Sequence, residues 1–204
     1  RGADSVHIGG PTTGAMLGGG GVASQYACEQ AARGRARGGS TQSYGNCGVE
    51  SVRQLVNLSR GEAPIDEDAM LNDVIAHGEA DPSVNHHRHG GSTPEQNLRT
   101  LARYGLAAQS RVMGPDELVR AVIEGRGVIT GHDAAILWGP GSTGGHAVLV
   151  TGVLFDTEGR LTHLTINDTG AGRCSDNVPV DTFMRSLRPG DPVVVTDQPV
   201  WGRP

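Results

Sequence analysis

The chain reads as an α+β domain, with helices in its first half and an antiparallel sheet in its second. Three observations carry this. From Cys47 to Gly125 the apolar residues recur at helical spacing, whereas from Val128 to Thr196 they gather in short runs parted by glycines and polar turns. Residues 1–40 differ from both, being broken by Gly9-Gly10-Pro11, Gly18 to Gly21 and the Arg33–Gly39 stretch. They are expected to form a glycine-rich leader or linker, with residues 41–204 forming the domain.

The elements follow in order. Val49, Val52, Leu55 and Val56 put one apolar face on a helix that begins at Cys47. A second helix is expected over Asp66–His77. A third opens at Ser92-Thr93-Pro94-Glu95, a capping-box spacing with proline in the first turn, and stops at Gly105. A fourth runs from Asp116 through Leu118, Val119, Val122 and Ile123 to Gly125. Strand texture then appears at Val128-Ile129-Thr130, at Ala135-Ile136-Leu137-Trp138 and from His146 to Phe155. Asp156-Thr157-Glu158-Gly159 is a turn, so His146–Phe155 and Leu161–Asn167 should pair as an antiparallel hairpin. A helix near Val180–Leu187 and a strand at Val193–Thr196 complete the domain. Helices packed on an antiparallel sheet are an α+β arrangement.

Composition removes several functions. The formal net charge of -5 gives no positive field for a nucleic-acid backbone or an anionic membrane surface, so neither is an expected partner. All 17 basic residues are arginine, as a GC-rich coding genome would produce. No apolar run approaches the roughly 20 residues that span a bilayer. Nor does the stretch after Arg1 have the basic and apolar regions of a signal peptide. Cys28, Cys47 and Cys174 are an odd set at irregular spacing, which predicts at least one free thiol and no paired zinc-ligand pattern.

Cys47 is the first candidate for chemistry. A thiol in the first turn of a helix feels the positive end of the dipole and the unpaired backbone N–H groups, both of which favour thiolate. Gly45 and Gly48 allow close approach of a substrate, and the N–H of Cys47 can stabilise an oxyanion. The competing expectation is a small buried cysteine in a core helix. His146 opens a strong strand after Gly144-Gly145, with its ring free to meet another element. The returning strand ends Leu164-Thr165-Ile166-Asn167-Asp168, so alternation puts Asp168 on the face of Leu164 and Ile166, and Asn167 on the other. Asp168 is therefore the expected partner of His146, with Asn167 as the competing third member.

This order resembles papain-like cysteine peptidases: Gln42, then Cys47-Gly48 at a helix start, then Gly145-His146-Ala147-Val148 on a strand, then Asn167-Asp168-Thr169-Gly170 at the end of the next. It is most similar to the branch that includes bacterial peptidases cleaving double-glycine leader peptides. The resemblance covers residues 42 to about 187. It implies a papain-like fold, with the nucleophile at a helix N-terminus in a helical half that packs on the sheet. It further implies a Cys47–His146–Asp168 (or Asn167) triad, with Gln42 joining Cys47 in the oxyanion hole and no cofactor. Gln42 stands five positions before Cys47, where the family's usual spacing is six.

The expected chemistry is acyl transfer through a thioester, on a protein or peptide substrate. A peptide bond would make the chain a cysteine protease, and a glutamine side-chain amide a deamidase or transglutaminase-type toxin. From a different class, a non-catalytic binding module on the same fold is the remaining alternative. Ser5-Val6-His7-Ile8-Gly9-Gly10-Pro11 looks like the end of a PAAR-type repeat, which would imply a secreted effector with an immunity protein as partner. The cluster His86-His87-Arg88-His89, with Asp81 nearby, is expected to be a solvated loop and not a metal site. His132-Asp133 is expected to make a structural hydrogen bond, His163 to face solvent, and Cys174 to be an idle thiol.

Overall fold

The structure, a computed structural model, describes residues 42–60 and 64–200 together with the backbone of residues 6–9. Three helices come early: α1 (Cys47–Arg60), α2 (Glu67–Ala76) and α3 (Pro94–Arg103). Strand β2 (Ala108–Arg111), helix α4 (Pro115–Ile123), strand β3 (Arg126–Asp133) and the short helix α5 (Ala134–Trp138) follow. The chain ends with β4 (Gly145–Phe155), β5 (Leu161–Asp168), β6 (Arg173–Pro179), helix α6 (Val180–Ser186) and β7 (Val193–Pro199). The strands form one antiparallel sheet in the order β2-β7-β3-β4-β5-β6. This is an α+β fold.

Both faces of the sheet are covered. On one, Val49, Val52, Leu55 and Val56 of α1 and Met70 and Leu71 of α2 pack with Leu101 against Ile129, Leu149 and Val194. On the other, Leu118 and Val122 of α4 and Phe183 of α6 meet Val128, Val148, Val150, Leu164, Ile166 and Val195. Consecutive residues such as Val128 and Ile129 thus face opposite cores, which is why these strands read as unbroken apolar runs. Leu55 is fully buried, and its methyls lie where a Cβ on Gly127 would stand, at 2.6 and 2.9 Å. Leu55→Ala would cost about 2–5 kcal/mol by transfer and cavity terms together. Helix α1 is buried nearly all round, from Gly48 to Asn57. It carries two charges inside, Glu50 and Arg53, which bond each other in a fork (2.8 and 2.5 Å).

Two departures from alternation matter. A bulge at Thr151 shifts the β4–β5 register between Val150 and Gly152, returning Val153 to the core face of Val150. The register shift between β5 and β6 falls on the β6 side, where two residues oppose Asn167 and Ser175 takes a left-handed φ of 54°. From His163 onward the alternation of β5 therefore runs undisturbed to Asp168.

Several expectations are corrected. Ala135–Trp138 was expected as a strand and belongs to helix α5, because Asp133 caps its N-terminus (Oδ1 to Ala135 N–H, 2.9 Å) and Gly139 ends it at φ 102°. Strands β2 and β6 are additional. The leader contributes strand β1 (Val6–Gly9), which pairs with β4 from Val6↔Phe155 to Gly9↔Gly152; the PAAR-like stretch otherwise lies outside the described residues. Cys174 is not an idle thiol but is disulfide-bonded, whereas Cys47 is free. Among the described residues, no helix is long and apolar enough to cross a membrane.

Candidate active site

The segment Gln42–Asn46 leads into α1 and is anchored by a carboxylate that sequence patterns did not single out. Glu67, the first residue of α2, accepts from Ser43 N–H, Ser43 Oγ and Asn46 Nδ2, each at 2.8 Å. Asn46, wholly buried, also accepts from Tyr44 N–H. A Cβ on Gly45 would stand 2.0 Å from the His87 carbonyl oxygen, so only glycine fits there. These contacts set the position of Cys47 at the start of the helix.

The His86–His89 segment is the other side of that packing. Tyr44 meets the rings of His86 and His89 edge-on at 5.2 and 4.6 Å, and Gly45 N–H donates to the His86 carbonyl. Among the described residues, no group of three or more His, Cys, Asp or Glu side chains is placed to hold a metal ion.

Cys47, His146 and Asp168 come together where α1 points at the ends of β4 and β5. His146 Nε2 bonds Asp168 Oδ1 at 2.7 Å, and the imidazole also hydrogen-bonds the Cys47 thiol, leaving Nδ1 for that contact. The N–H of Ala147 reaches Cys47 Sγ at 3.3 Å. Burial opposes a charged thiol, but His146 and the N–H groups of Ala147 and Gly48 outweigh it, and the Cys47 pKa falls below its ordinary value. Burial likewise opposes the imidazolium, yet Asp168 and Cys47 raise His146 to about 9. Asp168 is almost fully buried, which alone would raise its pKa; His146, Trp138 Nε1–H and Ala171 N–H hold it below the ordinary carboxylate range. The three shifts favour the thiolate, imidazolium and carboxylate forms together.

Trp138 completes the cluster. Its indole N–H donates to Asp168 Oδ2 at 2.6 Å and its ring lies 4.4 Å from that of His146. This role depends on Ala135–Trp138 being a helix, which is why an extended reading of the run hid it. Asn167 points the other way: its Nδ2 donates to Gln54 on α1 (2.8 Å), and its Oδ1 accepts from Ser175 N–H (2.9 Å). Gln42 is engaged at both ends of its amide, donating from Nε2 to the Tyr44 carbonyl and accepting from Thr169 Oγ1, both at 2.8 Å. It thereby ties the loop before Cys47 to the residue after Asp168.

His132 and Asp133 do not bond each other. His132, wholly buried, joins Thr130 Oγ1 through Nε2 and Ser186 Oγ through Nδ1, both at 2.7 Å. Ser186 gives its own proton to the Phe183 carbonyl, so His132 Nδ1 must donate and Nε2 accept, as in a neutral imidazole. Burial, then repulsion from His146, lowers its pKa to about 4. His163 is half-buried and bonds Thr162.

Beside Cys47 opens a cavity of about 420 Å³ between α3 and the sheet, reaching from Asn97 and Ser92 to Arg188 and Asp191. Gly131 and Gly145 leave backbone exposed on the sheet wall. The site can therefore present a nucleophilic sulfur, a proton donor beside it and room for a substrate segment.

No protein-family model matches the sequence, and no curated protein does. Among solved structures, the fold is similar to the crystal structure of a Bacillus anthracis protein described as a C39-like peptidase. The TM-score is 0.53 at 14% identity, covering 75% of this chain and 88% of that one. The chain thus shares its fold with a protein described as a C39-like peptidase.

Proposed function

We propose that the chain is a cysteine hydrolase of papain-like type that cleaves amide bonds through a thioester. The observation that carries this is the hydrogen-bonded series Cys47–His146–Asp168, with a thiol pKa lowered at the mouth of a cavity. In the first half-reaction the Cys47 thiolate attacks a carbonyl carbon, and the oxyanion forms beside the N–H of Cys47, with the Nε2–H of Gln42 that does not bond the Tyr44 carbonyl as second donor. His146 gives its Nδ1 proton to the leaving amine, which departs as the thioester forms. In the second, His146 takes a proton from water, hydroxide adds to the thioester, and Cys47 leaves as thiolate. Asp168 holds the ring orientation and stabilises the imidazolium throughout.

The likeness to a C39-like peptidase favours a peptide bond as substrate over a glutamine side chain. The disulfide at Cys174 favours an oxidising compartment, consistent with a secreted or delivered protein. The test is incubation of the full chain and its Cys47→Ala form with a denatured protein mixture, followed by mass spectrometry. New peptide N-termini that depend on Cys47 support a protease. Glutamines converted to glutamate with no new termini would replace that with a deamidase, and no Cys47-dependent product at all would overturn the hydrolase reading.

A further inference from the structure

The cavity beside Cys47 is lined by a polar group that the proposed chemistry does not use. Asn97, on α3, is 5% exposed. Its Oδ1 accepts from Ser92 Oγ at 2.7 Å, which fixes the plane of the amide. Its Nδ2 has no hydrogen-bond partner among the described residues, although it lies close to Gly48, 3.1 Å from where a Cβ would stand. The side chain lines the cavity. The Nδ2 atom itself is not sealed off, so its N–H groups are open to the cavity. At a cavity that reaches the nucleophile, such a held donor can meet an acceptor brought by the substrate.

The opposite rim carries a second donor. Arg188 lies 2.4 Å from where a Cβ on Gly145 would stand, so the glycine next to His146 makes room for the guanidinium. Arg188 faces Asp191 only loosely, at 3.5 Å. The intervening surface is apolar, from Pro94, Ile129, Ala147, Pro192 and Val194. A side chain with an apolar stem and an oxygen at its tip matches this lining.

Building on the hydrolase reading, we propose that Asn97 is a specificity-determining residue: its Nδ2–H, fixed by Ser92, selects a substrate residue whose side chain ends in an acceptor oxygen, amide or carboxylate. Glutamine and glutamate are the natural shapes. Leucine fills the apolar part and leaves the donor unpaired, which a site built to bond an oxygen rejects. Arg188, nearer solvent, adds to the carboxylate alone.

Peptidyl acyloxymethyl ketones test this, because they alkylate the nucleophile only after their peptide binds. Four tripeptide probes would differ only at the residue before the one bearing the reactive group: glycine, leucine, glutamine or glutamate. The readout is the second-order rate of Cys47 modification by intact mass, with iodoacetamide as a probe that needs no subsite. The wild-type chain should react about tenfold or more faster with the glutamine and glutamate probes than with leucine. At an unchanged iodoacetamide rate, Asn97→Ala should remove that preference, and Asn97→Asp, nearly the same shape with an acceptor for the donor, should reverse it for the glutamate probe, while glutamine can still bond through its own N–H groups. Arg188→Ala should slow the glutamate probe and spare the glutamine one. Leucine preferred by the wild type, or the glutamate preference surviving in Asn97→Asp, would overturn the subsite while fast iodoacetamide labelling left the nucleophile standing. Iodoacetamide labelling of Cys47 no faster than that of glutathione would instead overturn the hydrolase reading and the subsite with it.

Discussion

His146 and Asp168 are joined by a 2.7 Å bond from Nε2 to Oδ1, and that bond turns the other ring nitrogen toward Cys47. Asn167, one residue earlier, is committed to Gln54 and the Ser175 N–H on the far side of the strand. The two side chains should separate cleanly by mutation. Asp168→Ala is expected to lower turnover by roughly two to four orders of magnitude, since the imidazolium loses its partner. Asn167→Ala should instead cost about 2–4 kcal/mol of stability, because a buried Gln54 oxygen and a backbone N–H lose their bonds. Turnover paired with urea denaturation reads both. A larger loss of turnover for Asn167→Ala at intact stability would make asparagine the orienting residue.

The acidic and basic limbs of activity follow from the same cluster. Turnover needs Cys47 as thiolate and His146 as imidazolium. It should rise with a midpoint below the ordinary thiol range and fall as pH passes about 9, where His146 loses its proton. Iodoacetamide needs the thiolate alone, so Cys47 labelling should persist above pH 9 while turnover declines. Parallel loss of both at high pH would mean that the thiolate, and not the imidazolium, fails there.

His132 makes an independent prediction about stability. Its pKa falls from 6.5 in the unfolded chain to about 4 when buried, so between those values the unfolded state binds a proton that the native state does not. Stability due to this group is complete above pH 6.5 and is lost as pH falls toward 4, with a slope of up to about 1.4 kcal/mol per pH unit. His146 has the opposite sign: raised to about 9, it stabilises fully below 6.5, and that contribution is lost as pH rises through 9. The difference in urea-unfolding free energy between wild type and His132→Gln, followed from pH 7 to 4, isolates the first effect. A difference independent of pH would show that His132 titrates normally in the fold.

Much of this site was legible because it rests on local rules. A glycine-flanked cysteine before the apolar pattern of α1 marked the helix start, and strand alternation separated Asp168 from Asn167. That separation survived because the irregularity near the end of β5 fell on β6 at Ser175 instead. What escaped depends on contacts distant in sequence. Glu67 looks like any acidic residue in a first helical turn, and only the packing of α2 on the 43–46 loop brings its oxygens there. Trp138 sits in five apolar-rich residues, too short a run for periodicity to tell helix from strand. Its cap, Asp133, and its stop, Gly139, were the available signals. β1 was hidden for another reason: its pairing to β4 is backbone bonding, which glycine-rich composition does not forecast.

Glu67 should be worth testing for its hold on the loop. Glu67→Gln keeps the shape but turns one acceptor oxygen into a donor that faces Ser43 or Asn46, both already donating. The expected result is a loss of about 1–3 kcal/mol of stability, together with slower iodoacetamide labelling of Cys47 as the helix start loosens. Unchanged labelling at reduced stability would limit Glu67 to a structural role.

Gly170 offers the sharpest test of the packing behind the histidine. It follows Asp168 by two residues, and a Cβ there would stand 2.6 Å from His146 Cε1 and 2.6 and 2.7 Å from two ring carbons of Trp138. Such distances are far inside van der Waals contact, so one of the two rings must move. Trp138 is 39% exposed and His146 only 5%, so the indole is the one that can swing outward. In doing so it gives up the bond from Nε1 to Asp168 and uncovers the His146–Asp168 pair to water. Gly170→Ala should then lower turnover by about tenfold or more, through a weaker hold on the imidazolium, while the melting temperature changes little. Trp138→Phe, which removes the indole N–H and keeps an aromatic ring, should reproduce part of that loss without the clash. Full turnover in Gly170→Ala would show that the imidazole and indole are not packed against this turn in the working site.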